Sequence, residues 1–212
     1  MEKLTALYVQ YKGEKPATIE KMPGAGSNRQ YYRFIGDDGE SVIGVVGTSR
    51  DENHAFIYLD RHFMLRQLPV PHVLAVSEDE LRYLQTDLGH TSLFDAIQGG
   101  REAGGRYNQN EQQLLIRTIR ALPNFQIRGA RGLDWNNCYP QPEFNEESVL
   151  FDLNYFKYCF LKATGLDFHE LKLEANFHMF AKDLAAEMGD SFLYRDFQAR
   201  NIMLDNEGNP YF

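Results

Sequence analysis

The stretch Phe192-Leu193-Tyr194-Arg195-Asp196-Phe197-Gln198-Ala199-Arg200-Asn201-Ile202-Met203-Leu204 decides how the rest of the chain is read. Apolar runs flank a polar segment on both sides, and Asp205-Asn206-Glu207-Gly208-Asn209 follows as a turn leading to Pro210-Tyr211-Phe212. Glycine, Asn and Asp favour tight turns, so the segment reads as a polar loop between two short strands.

Upstream of that loop the pattern is helical. Apolar spacing predicts helices over Glu147–Thr164 and Phe168–Met188, broken at Gly165, and over Glu111–Leu122 and Ser92–Gln98. Residues 129–145 are rich in Gly, Pro and Asn and read as a long loop. Before Asp87-Leu88-Gly89 the pattern changes. A helix carries Leu4, Leu7, Tyr8 and Tyr11 on one side and ends at Gly13. Strand-like runs cover 17–22, 30–35 and 41–46, the last two joined by Gly36-Asp37-Asp38-Gly39. A helix over about 52–67 would bury Ala55, Phe56, Leu59, Phe63 and Met64, and strands 72–76 and 81–86 follow. The reading is an α+β chain, with a small antiparallel-sheet lobe over 1–87 and a mostly helical lobe over 88–212.

Composition narrows the classes. The 212 residues are 43% hydrophobic and 13% aromatic, which excludes wholesale disorder. There are 22 Lys and Arg against 30 Asp and Glu, a net charge of −8, which disfavours nonspecific nucleic-acid binding. No run approaches the roughly 20 apolar residues of a membrane span. Cys138 and Cys159 form no CxxC pair and read as buried, reduced thiols of a cytoplasmic protein. The six histidines form no HExxH and no zinc spacing, and no GxSxG elbow is present.

Chemistry concentrates at Asp196 and Asn201. A carboxylate that takes a hydroxyl proton and, five residues on, an amide oxygen for Mg²⁺ is the spacing phosphoryl transfer uses. A polar turn whose Asp and Asn bond their own backbone is the competing reading. Arg195 and Arg200 add positive charge. Gly24 and Gly26 let backbone N–H groups approach phosphate, and Ser27 and Asn28 add donors, without the Gly-Lys-Ser/Thr of a Walker A loop. Trp135 either stacks on a sugar face or packs between helices.

The run 192–204 resembles the catalytic segment of aminoglycoside phosphotransferases and choline kinases, and is most similar to the sugar 1-kinases acting on N-acetylmuramate and N-acetylglucosamine. Residues 23–33, ending in Arg29-Gln30-Tyr31-Tyr32-Arg33, resemble that group's nucleotide loop. Leu84 to Gly89 resemble its interlobe hinge, and 152–161 its aromatic-rich acceptor helix. The resemblance implies a protein kinase-like two-lobe fold and an ATP- and Mg²⁺-dependent kinase of a small-molecule hydroxyl, an amino sugar before choline or an aminoglycoside. In that reading Asp196 is the base and Asn201 the metal ligand. Adenine lies on the backbone near Gln85 and Leu88. Asp87 holds ribose or caps the next segment. Asp152 meets the sugar or is only a helix's first-turn acid, and Arg200 faces substrate.

Two departures qualify the match. The strand 41–46 has no lysine, and helix 52–67 offers no evident partner glutamate, so Arg29 or Arg33 would supply the charge on phosphate. The second metal-binding Asp expected after Tyr211-Phe212 is not in the sequence, so the resemblance implies a truncated domain of little or no activity. A nucleotide-binding or regulatory module without catalysis is the alternative.

Overall fold

The computed structural model describes residues 1–24, 28–187 and 189–212. Gly26 and Ser27 of the expected phosphate loop lie outside the described residues.

Helix α1 (Glu2–Lys12) stops at Gly13, whose φ of 83° is left-handed and costs glycine little. Five strands follow as one antiparallel sheet: β1 (Thr18–Lys21), β2 (Gln30–Ile35), β3 (Ser41–Val46), β4 (Val73–Val76) and β5 (Arg82–Thr86). Their spatial order is β1-β2-β3-β5-β4. The chain is thus a five-stranded antiparallel sheet accompanied by helices, a mixed α and β architecture.

Both faces of the central strand are covered, which is why Val42-Ile43-Gly44-Val45 is apolar without alternation. On one face Leu4, Leu7 and Tyr8 of α1 pack on Phe34, Val42 and Leu84. Gly44 makes that seat possible: a Cβ there would stand 2.6 Å from Phe34 Cε2 and 3.0 Å from Leu4 Cδ2. On the other face Ile43, Val45 and Tyr83 pack on Ile57.

Ile57 belongs to α2 (Arg50–Leu65), which runs between β3 and β4 and is capped by Ser49. Its buried face keeps Ala55 and Phe63 of the apolar stripe that spacing predicts, with Phe56 and Leu59 partly buried, but is wider than that stripe. Met64 is exposed, whereas Asn53, Ile57, Asp60 and His62 are buried. Polar residues turn inward because each finds a backbone partner. Asn53 Nδ2 donates to the Glu80 carbonyl at 2.8 Å, Asp60 Oδ2 accepts from Val73 N at 2.9 Å, and His62 Nε2 donates to the Gly129 carbonyl at 2.7 Å.

The rest is helical. The expected helix over 92–98 is two short ones, α3 (Leu93–Ala96) and α4 (Gln98–Glu102). Helix α5 (Gln109–Pro123) starts with an Asn108/Glu111 capping box and runs on as a π-helical turn over Asn124–Gly129. Helix α6 (Glu146–Phe156) likewise continues through Lys157–Leu161 and pairs with α7 (Glu170–Ala186). Lys157 Nζ joins them, 2.8 Å from Glu170 and 2.5 Å from Glu174. A hairpin of β6 (Met203–Leu204) and β7 (Pro210–Tyr211) closes the chain. Cys138 is partly buried, but Cys159 is exposed, against the expectation of burial. Among the described residues no helix is long and apolar enough to cross a membrane.

Candidate functional site

The loop between α7 and β6 sorts its side chains by polarity. Phe192, Tyr194, Phe197 and Ala199 face inward, while Arg195, Asp196, Gln198, Arg200 and Asn201 are exposed. The inward rings are held by aromatic contacts. Phe192 lies 5.0 Å from Phe63, Tyr194 lies 5.9 Å from Phe125, and Phe197 stacks on Phe212 at 5.9 Å. The polar edge therefore sits on a packed base.

On that edge the five-residue spacing closes into contact. A 3₁₀ turn over Ala199–Asn201 brings Asn201 Nδ2 to 2.8 Å from Asp196 Oδ2 and 3.2 Å from the Asp196 carbonyl. Gln198 Nε2 donates to Asp196 Oδ1 at 2.9 Å. With its amide nitrogen donating, Asn201 leaves Oδ1 as an acceptor.

The segment after the loop is fastened just past the expected hinge. Leu93 N donates to the Ile202 carbonyl at 2.8 Å and Leu204 N to the Thr91 carbonyl at 2.9 Å. Ile202 and Leu204 also pack on Leu93 and Ile97. Asp196 and Asn201 are thus tied to the chain leaving β5.

Asp152 comes to the same edge, but not as a first-turn acid. The first turn of α6 holds Glu146 and Glu147, and Asp152 sits deeper in the helix, paired with Arg195. The Arg195 guanidinium also lies 4.9 Å from the Phe144 ring. Its charge is therefore shared with Asp152. Arg200 instead stacks over Phe94 at 3.8 Å.

Arg33 and Asp87 are brought to one another. Arg33 Nε is 2.5 Å from Asp87 Oδ2, and Nη2 is 3.0 Å from Oδ1. Ser41 Oγ and Gly89 N donate to the same carboxylate, and Arg33 also donates to the Gly89 carbonyl and approaches the His90 ring. Burial would raise the Asp87 pKa. The donors from Arg33, Ser41 and Gly89 outweigh it and hold the carboxyl below its ordinary range. In this geometry the polar atoms of Arg33 are committed to the hinge, and the Asp87 carboxylate caps the turn at Gly89, one of the two roles expected of it, while also fixing Arg33.

Arg29 meets an acid that spacing did not reveal. Its Nη2 is 3.1 Å from Glu52 Oε1, and the guanidinium lies 5.3 Å from the Phe56 ring. Glu52 occupies the first turn of α2, three residues after Ser49, where a capping pattern places acids. Gly24 and Asn28 are exposed, and a Cβ on Gly24 would meet open space. On β5, Gln85 faces Ile43 and Val73 across the ladder, and its Oε1 is buried with no donor to it among the described residues. Leu88 is half-buried. Trp135 lies in a short 3₁₀ turn against α2.

Two surface hollows of about 410 Å³ lie elsewhere, one beside Arg117, Asp205 and Tyr211, the other beside His54, Glu80 and Cys138. Neither includes Asp196 or Asn201, so side-chain geometry and not cavity size marks the candidate site. Among the described residues no three His, Cys, Asp or Glu gather as a metal site. Asn201 Oδ1 and the Asp196 carboxylate are hard oxygen donors of the kind Mg²⁺ takes when phosphates supply the remaining ligands.

No known family model matches the chain, and no curated protein matches it.

Proposed function

We propose that the protein is an ATP-dependent phosphotransferase acting on a hydroxyl of a small molecule, an amino sugar such as N-acetylmuramate or N-acetylglucosamine. The contact between Asp196 and Asn201 at 2.8 Å, on the exposed edge of an aromatically anchored loop, carries this reading. Strand order supports a kinase-like two-lobe arrangement: β1-β2-β3-β5-β4, with α2 crossing from β3 to β4.

In this reading Asp196 orients the acceptor hydroxyl and takes its proton, as a positioned carboxylate does in general base catalysis. Asn201 Oδ1 would ligate Mg²⁺, whose charge offsets that of the transferring phosphoryl group. In this reading Arg29, held by Glu52, supplies positive charge to the nucleotide phosphates. Gln85 Oε1 offers an acceptor for an adenine amino group.

A nucleotide-binding module without transfer is the second reading. It is favoured by a β3 without lysine and by the commitment of Arg33 to Asp87.

Calorimetric titration with Mg-ATP, followed by ³²P transfer to N-acetylmuramate, N-acetylglucosamine and choline, tests both. Binding with transfer to the amino sugars is expected. Transfer to choline alone overturns the sugar assignment, binding without any transfer selects the module, and failure to bind Mg-ATP overturns both.

A further inference from the structure

Phe94 on α3 carries a guanidinium on each side. The Arg101 Cζ is 3.3 Å and the Arg200 Cζ 3.8 Å from its ring centroid. Two guanidinium groups this near one centroid would overlap if they shared a face, so the ring lies between them. Arg101 Nε also donates to the Phe94 carbonyl at 3.1 Å, which fixes its plane.

Neither guanidinium forms an ion pair with a carboxylate among the described residues, although acids outnumber bases 30 to 22 in the chain. Nearby acids have other partners: Asp95 accepts from Ser92 Oγ at 2.6 Å, and Glu102 accepts from Gln98 Nε2 at 2.6 Å. Stacking satisfies the faces of a guanidinium but leaves in-plane N–H donors, in the fork that fits two oxygens of one anion. Arg200 is adjacent to Asn201, so these donors border the polar edge. Overall charge is −8, so attraction of an anion here is local and not a property of the whole surface.

We infer that Arg101 and Arg200, preorganised on the two faces of Phe94, form an oxyanion subsite that takes a phosphate- or carboxylate-bearing group of a bound small molecule. The subsite does not require that phosphoryl transfer occur, and it is tested by binding alone.

The probe is inorganic pyrophosphate, titrated without metal into the full chain. Saturable binding is expected, weakened about tenfold or more by Arg101→Gln and by Arg200→Gln, the scale of one lost charge-assisted hydrogen bond. Lysine at either position should restore only part, since a point charge lacks the fork. Phe94→Leu should weaken binding too, with both charges kept. Unchanged affinity in the two glutamine variants, or no saturable binding by the unaltered protein, overturns the subsite. Melting temperatures recorded alongside separate unfolding from lost binding, and variants that melt lower yet bind equally show a structural clamp and overturn it as well. Pre-bound ATP distinguishes sources: if it blocks pyrophosphate, the anion is the nucleotide's phosphate, and if citrate still binds beside ATP, the anion belongs to the second ligand.

Discussion

Arg33 of β2 lies buried against Asp87, two parallel hydrogen bonds joining the sheet to the segment that leaves it. Removing one partner strands the other charge away from water. Asp87→Ala should cost about 3–5 kcal/mol, more than a matched apolar replacement of both residues. Denaturant unfolding of the single and double variants checks this.

The same carboxylate sets a pH limit. Its folded pKa is depressed below the ordinary 3.8, so its stabilisation is whole above the unfolded value and is lost as pH falls through the folded one. Acid titration of stability should therefore steepen below about pH 4. Asp87→Asn should flatten that part of the curve.

His62 acts in the neutral range. Burial lowers its pKa from 6.5, although the Gly129 carbonyl favours the charged form; the Arg66 charge lowers it further. The unfolded chain thus binds the proton more readily. Stability should be whole above about pH 6.5, fall as pH drops from there to the folded pKa, and then level off. His62→Gln, which keeps a donor for Gly129, should remove the slope in urea midpoints.

Gly44→Ala tests the seat of α1. The added methyl meets Phe34 at 2.6 Å, so the substitution should destabilise by about 1–3 kcal/mol, visible as a lower melting temperature.

If the proposed transfer occurs, Asp196→Asn should lower kcat by about 10²–10⁴, the share a positioned base supplies. Asn201→Ala should instead raise the Mg²⁺ concentration needed for half-maximal rate. Steady-state rates across a Mg²⁺ series separate the two.

Strands β2 and β3 were readable in the sequence because the turn from Gly36 to Gly39, the aromatic-rich run of β2 and the apolar run of β3 carry strong local signals. The Asp196–Asn201 spacing was readable because both residues lie on one short loop. The polar part of the buried face of α2 was not, since Asn53, Asp60 and His62 turn inward for carbonyl and amide partners distant in sequence, which periodicity cannot register. The same holds for Arg33 with Asp87 and Arg29 with Glu52: each arginine's partner depends on sheet register and helix placement. Arg101 gave no signal at all, because its role beside Arg200 exists only once α3 lies under the turn at 199–201.

The aromatic base under the loop has a consequence for inherited variation. Phe125 is fully buried and touches Phe63, Tyr194 and Phe212. A smaller side chain there would let the keel beneath Asp196 rock. If the proposed transfer occurs, alleles at this remote ring would then present as defects of chemistry, with Asp196 and Asn201 both intact.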